Sequence, residues 1–152
     1  LVLFLRSEFS LDVSTVGLLA GIELFVFGLF STNLGHLSDR YRPSRVFSAG
    51  LVMCGILYIL LSYSRTPLQF VVLIFLSAMF FGSGWSGIEK IVANSTSGEA
   101  RLLNIAWLGY YLGFAVGPAV AGYIIDAFSY RHVFMFRGIL SVTVGLLAGV
   151  LL

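Results

Sequence analysis

Gly35-His36-Leu37-Ser38-Asp39-Arg40-Tyr41-Arg42-Pro43-Ser44-Arg45 decides how this chain is built. Three arginines and an aspartate stand together here, between two long apolar runs. A charged side chain at the centre of a bilayer costs about 2.5 kcal/mol or more, so the cluster must lie outside hydrocarbon. It closes one membrane span and opens the next.

Working outward, residues 46–64, 66–88 and 102–125 contain no Asp, Glu, Lys or Arg. Each run is long enough to cross a hydrocarbon core of about 30 Å at 1.5 Å per residue. Residues 13–38 make a further span, interrupted only by Glu23, and 138–152 begin another. Composition agrees. Apolar residues make up 59% and charged residues 11%, whereas soluble domains run near about 25% charged. The fold class is an all-α membrane protein, an antiparallel transmembrane helix bundle.

The expected spans are a stub at 1–5, then about 13–37, 46–63, 67–93 and 102–125, and a last one from about 133. Short connections between them predict that consecutive helices are antiparallel neighbours. Pro67 suits a first helical position. Leu1–Leu5 is too short for the apolar part of a signal peptide. The chain opens without Met and stops inside an apolar run, so it reads as a fragment of a longer membrane protein. Arg40, Arg42, Arg45, Lys90 and Arg101 fall on one side and Arg6, Arg65 and Arg131 on the other. The positive-inside bias predicts that the Asp39–Arg45 loop is cytoplasmic, and the expected localisation is multi-pass in the cell (inner) membrane.

Two glycine patterns stand out. Gly109, Gly113, Gly117 and Ala121 recur every four residues and share one face, with Pro118 and Gly122 beside them. Gly17, Gly21, Gly28 and Gly35 fall in a narrow arc of the second span. Both are expected to be close-packing faces, because small residues let membrane helices approach. Pro118 removes a backbone donor and should bend its helix.

Glu23 lies roughly 140° round from the second span's glycine arc at 100° per residue. A carboxyl at such depth persists where it is protonated, paired or facing a wet cavity. It is a candidate coupling or substrate group. Trp107, Tyr110, Tyr111 and Arg137 are further candidates, with Arg137 expected about one turn inside the last span. Glu89 and Lys90 read as an interfacial pair.

Other chemistry is not supported. The single cysteine, Cys54, excludes an internal disulfide and a multi-cysteine metal site. His36 and His132 are expected on opposite membrane sides, so no metal is expected. His36, Ser38 and Asp39 do not form a nucleophile-base chain. The chain is not expected to be an enzyme, to carry a cofactor or to bind nucleic acid.

With the spans placed, the basic loop resembles the cytoplasmic signature of the major facilitator superfamily, Gly-x-Leu-(Ala/Ser)-Asp-Arg-x-Gly-Arg-(Arg/Lys). Gly35, Leu37, Ser38, Asp39 and Arg40 match in order, and Arg45 fits the basic tail. Arg42 and Pro43 depart from it, standing where the family prefers glycine and arginine. Gly113-Phe114-Ala115-Val116-Gly117-Pro118-Ala119-Val120-Ala121-Gly122 resembles the fifth-helix motif Gly-x-x-x-Gly-Pro-x-x-Gly-Gly, associated with the antiporter branch. Tyr130-Arg131-His132-Val133-Phe134 is similar to the Trp-Arg-x-x-Phe opening of helix six, and Gly98-Glu99-Ala100-Arg101 to the loop before helix five.

The resemblance implies a major facilitator fold with an incomplete N-terminal half, from the end of helix one into helix six. It implies a secondary active transporter of a small organic solute by alternating access, favouring drug-like efflux by proton antiport. A metabolite or sugar carrier, or a non-transporting relative, are the alternatives. The implied partners are the lipid bilayer, a small-molecule substrate, protons and the C-terminal half of the same polypeptide. Gly35, Leu37, Asp39, Arg40 and Arg45 would form a cytoplasmic gate, with Asp39 meeting a helix of that other half. Many proton-coupled members have an arginine four residues before a glycine in helix four. Here that position, counted from Gly82, is Ala78, and Asn94 replaces the Asp that commonly ends that helix.

Overall fold

The computed structural model describes residues 2–33, 36–95 and 100–151. Its elements are α1 (Val2–Phe9), α2 (Val13–Asn33), a short α3 (Leu37–Arg40), α4 (Pro43–Ser62), α5 (Pro67–Ser95), α6 (Ala100–Ala127) and α7 (Tyr130–Leu151). Five of them, α2 and α4 to α7, are long and apolar enough to cross a membrane. Helix is what these sequences require there, since lipid offers no hydrogen bonds and the backbone must satisfy its own. Among the described residues there is no strand. The protein is an all-α, multi-pass membrane bundle.

Helix ends follow local chemistry, and several differ from the sequence expectation. The second span is described as far as Asn33, with residues 34–35 outside the described residues, and Leu37–Arg40 forms a short turn of helix. The third begins at Pro43, not Val46, because proline at the first helical position needs no hydrogen-bond partner for its nitrogen. Of the two residues that depart from the signature, Pro43 is therefore the start of α4 and Arg42 the residue before it. At α5, Thr66 Oγ1 accepts from the Gln69 backbone N–H at 3.2 Å, and Gln69 Oε1 accepts from the Arg65 N–H at 3.2 Å. This reciprocal cap stands directly before Pro67. The last span starts at Tyr130, three residues earlier than expected, and α1 runs on to Phe9, past Arg6 and Glu8.

Asp12 caps α2. Its carboxylate accepts from the Thr15 backbone N–H at 3.2 Å and from the Thr15 hydroxyl at 2.5 Å. These bonds, the hydroxyl's first, favour the ionised form and hold the Asp12 pKa below the usual 3.8.

Packing follows chain order only in part, since the consecutive helices α4 and α5 pack closely but α2 and α4 do not. α4 lies between α5 and α7 and packs most extensively against them, while α2 packs against α5. The expected contact of α2 with α4 is thus replaced by non-sequential neighbours. Close backbone approach explains the choice. A Cβ added at Gly55 would lie 2.7 Å from the Gly138 carbonyl oxygen and 2.8 Å from the Val142 nitrogen. One added at Gly50 would lie 2.6 Å from the Gly84 Cα, and one at Gly82 2.5 Å from the Phe27 carbonyl oxygen. Ser48 Oγ adds a 2.7 Å bond from α4 to the Gly145 carbonyl of α7.

The two glycine faces singled out from sequence are elsewhere. Gly17, Gly21 and Gly28 meet nothing within 4 Å, nor do Gly109, Gly113, Gly117 and Gly122. Every residue from Leu108 to Val120 is exposed among the described residues. α6 runs unbroken through Pro118. On α2 the opposite side turns inward, with Val16 buried.

The aromatic core sits at the end of the bundle away from the basic loop. Phe4 stacks on Phe70 with centroids 5.0 Å apart and meets Phe134 edge-on at 5.1 Å. Arg131 ties that end together, donating to the Ser62 carbonyl at 3.3 Å and pairing with Glu8 at 3.9 Å.

Two outcomes follow. Replacing Gly55 by Leu forces backbones apart and costs about 1–3 kcal/mol, measured as a fall in thermal stability in detergent, whereas Gly17→Ala changes little. For Asp12, depression of the folded pKa means its cap is fully present above the unfolded value and lost as pH falls through the folded one. A carboxyl-carbon NMR titration of Asp12 gives a midpoint below 3.8 that rises in Thr15→Val.

Candidate functional site

A cavity of about 440 Å³ opens between α2, α4, α5, α6 and α7. Its walls are largely apolar and aromatic, with Phe27 from α2, Tyr58 from α4, Phe81 from α5, and Tyr110 and Phe114 from α6. Two ionisable groups of opposite sign face it, Glu23 and Arg137. Glu23 stands at the centre of α2, the eleventh of its 21 residues. Arg137 follows Tyr130 by seven residues, roughly 10 Å along α7 at 1.5 Å per residue. The earlier start of α7 therefore sets Arg137 two turns deep, where one turn was expected.

Arg137 is held by an aromatic face. Its guanidinium carbon lies 4.1 Å from the centroid of the buried Tyr58 ring. Such a cation–π contact contributes roughly 0.5–2 kcal/mol, more when desolvated. No ion pair within 4 Å joins Glu23 or Arg137 to a counter-charge among the described residues. Both charges are shared with the cavity instead. Ser77 adds a hydroxyl to the wall, tied to the Ile74 carbonyl at 2.8 Å.

Of the residues singled out from sequence, Glu23, Arg137 and Tyr110 come together in this cavity, as do Gly113 and Pro118. Trp107 and Tyr111 do not line it. They belong to an adjoining aromatic cluster, with Trp107 5.8 Å from Trp85 and Tyr111 6.2 Å from Trp107. Sequence reasoning missed Tyr58, Ser77 and Phe81. Tyr58 and Ser77 did carry a signal, being polar groups inside charge-free spans.

At the other end of the same helices, Asp39 of α3 forms an ion pair with Lys90 of α5. The sequence reading sought Asp39's partner in another half of the polypeptide; a partner is present within this chain. It also corrects the reading of Glu89 and Lys90 as a mutual pair. Glu89 accepts a 2.8 Å bond from the Trp85 indole N–H, leaving Lys90 for Asp39. Helical spacing explains the split, because side chains four apart share a face and adjacent ones do not. Arg40 and Arg45 are exposed. Gly35, and Gly98-Glu99 of the loop before α6, lie outside the described residues.

Five apolar spans around a charged cavity, with the signature loop at one end, match a known family. The Major Facilitator Superfamily model covers residues 1–152. The chain belongs to this superfamily of membrane transporters. It is 32% identical over 123 residues to the multi-drug resistance efflux pump PmrA homolog of Lactococcus lactis subsp. lactis (strain IL1403). That match covers 80% of this chain and 29% of the relative. It is 28% identical over 141 residues to the multidrug resistance protein MdtG of Escherichia coli O1:K1 / APEC, covering 89% of this chain and 34% of that one. The chain thus spans about a third of the length of the curated relatives it matches. No solved structure matches it.

The Asp39–Lys90 pair is largely solvated, with side chains 66% and 36% exposed. Its coupling energy is expected below about 1 kcal/mol and to fade at high salt. A double-mutant cycle with Asp39→Asn and Lys90→Gln, read by thermal unfolding at low and high salt, checks this.

Proposed function

We propose that this chain is part of the N-terminal half of a secondary active transporter that exports a lipophilic organic solute by alternating access, driven by proton antiport. The observation that carries the reading is the cavity with Glu23 and Arg137 on otherwise apolar, aromatic walls. Its size suits a drug-sized molecule, for which sites of about 300–1,000 Å³ are usual. The relatives named as a multi-drug efflux pump and a multidrug resistance protein support the substrate class.

The chemistry supplies a coupling rule. A carboxylate at the centre of a membrane helix must be neutralised by a proton, by a neighbouring cation or by a charged solute. For a cationic solute, proton binding at Glu23 and solute binding beside it then exclude each other. Arg137, parked on Tyr58, is the resident cation that limits the cost of the ionised state. It takes the place, in a different helix, of the arginine that many proton-coupled members carry in helix four.

In this reading the Asp39–Arg45 end faces the cytoplasm, in accord with the positive-inside bias. Asp39, Arg40 and Arg45 bias the equilibrium between open and closed states from outside the cavity, together with Gly35 and Leu37. The open small-residue face of α6, with Gly109, Gly113, Gly117 and Gly122, docks against a helix of the C-terminal half of the same polypeptide.

Transport by the full-length parent in proteoliposomes tests the coupling. Glu23→Gln should lose gradient-driven solute accumulation by about tenfold or more while keeping solute counterflow, which needs no proton. Undiminished accumulation in that variant would falsify the proposal. A cysteine at Ser44 should react with an impermeant reagent only from the cytoplasmic side.

A further inference from the structure

Arg137 carries a charge that the cavity walls answer only in part. Its guanidinium rests on Tyr58, 4.1 Å from the ring centroid, and its side chain is otherwise exposed. A ring face attracts the positive charge but offers no lone pair to the N–H donors of a guanidinium. Among the described residues no carbonyl, hydroxyl or carboxylate accepts a hydrogen bond from Arg137.

The other groups facing this space decide what it can hold. The charged or titratable side chains on its walls are Glu23 from α2, Cys54 and Tyr58 from α4, Tyr110 from α6 and Arg137 from α7. α5 adds Ser77 and no ionisable group, and the Ser77 hydroxyl is committed to the Ile74 carbonyl. Arg6 and Glu8 of α1 do not line it. Glu23 is thus the one carboxyl on the described walls, near enough to feel the Arg137 charge but beyond 4 Å from it. With Glu23 ionised, the two charges cancel across the cavity. With Glu23 protonated, a net positive charge is left in a largely apolar space, where it is costly.

We propose that the cavity binds a chloride ion at Arg137 when Glu23 is protonated. The anion takes up N–H donors that the tyrosine ring leaves free, and it restores neutrality. Chloride fits because it is singly charged, small against a cavity of about 440 Å³, and sheds water more readily than phosphate. Proton and anion then bind with positive coupling, each favouring the other. The proton-loaded cavity becomes electrically neutral, as the ionised one already is. The inference rests on Glu23 as the proton site of the transport reading, but chloride binding is read without transport.

The test is the thermal unfolding midpoint of the full-length parent in detergent, with chloride replacing isethionate at fixed ionic strength across an acid-to-alkaline pH series. Chloride should raise the midpoint, with an apparent affinity about fivefold or more higher at the acid end. Arg137→Gln should abolish the rise. Glu23→Gln should keep it, binding chloride as tightly at every pH as the unmodified protein does in acid. No chloride effect, an effect that survives Arg137→Gln, or an unchanged pH dependence in Glu23→Gln overturns the site. The first of these is the result if a carboxylate from the rest of the parent takes the guanidinium. Should Arg137→Gln show no cooperative unfolding, the Glu23→Gln series decides alone. Undiminished gradient-driven accumulation by Glu23→Gln, with the chloride results as expected, counts against antiport and leaves the anion site standing.

Discussion

The approach of α4 to α7 at Gly55 and Gly138 governs the rest of the arrangement. With no side chain on either glycine, each backbone comes within 2.7 Å of where the other's Cβ would be. Arg137 is the residue before Gly138, and Tyr58 lies one turn beyond Cys54 and Gly55. Bringing those two backbones together therefore sets the guanidinium over the tyrosine ring. A similar approach of α4 to α5 at Gly50 and Gly84 holds the opposite wall. The cavity is what remains where these tight contacts end.

Lipid changes which forces matter. Outside the bundle there is hydrocarbon, so burying apolar side chains between helices gains little, and van der Waals packing with interhelical hydrogen bonds takes over. The glycines, Ser48 on the Gly145 carbonyl and the Phe4–Phe70–Phe134 cluster fit that description. Charged groups sort by depth. Asp39, Lys90, Glu8 and Arg131 sit at the ends, where exposed pairs are worth little. Glu23 and Arg137 are the charges held deep, and their cost there is an argument for use.

Several features could be read from residues alone because they are local. Hydrophobic run length identified the five spans, and a proline marked the start of α5. Glu23 and Arg137 stood out as charges in or near apolar runs, and structure joined them in one cavity. Glycine faces were less legible. The regular stripes of α2 and α6 drew attention, yet close backbone contacts fall at Gly50, Gly55, Gly82, Gly84, Gly87, Gly138 and Gly145, none of them in those stripes. A glycine that touches a neighbour and one that faces open space look identical in one dimension. The Trp85–Glu89 bond was within reach of sequence reasoning, as an i,i+4 pair, and went unused.

By itself the amino-acid order determined that this chain is a multi-pass helical membrane protein, because transfer into lipid depends on each segment's own composition, while its motifs carried the resemblance to the major facilitator superfamily. Only tertiary structure decided that α4 pairs with α7, that Asp39 meets Lys90, and that Arg137 rests on Tyr58 within the cavity that holds Glu23. Those are contacts between residues far apart along the chain. They depend on which helix faces can approach most closely, a property of pairs of surfaces and not of any one segment.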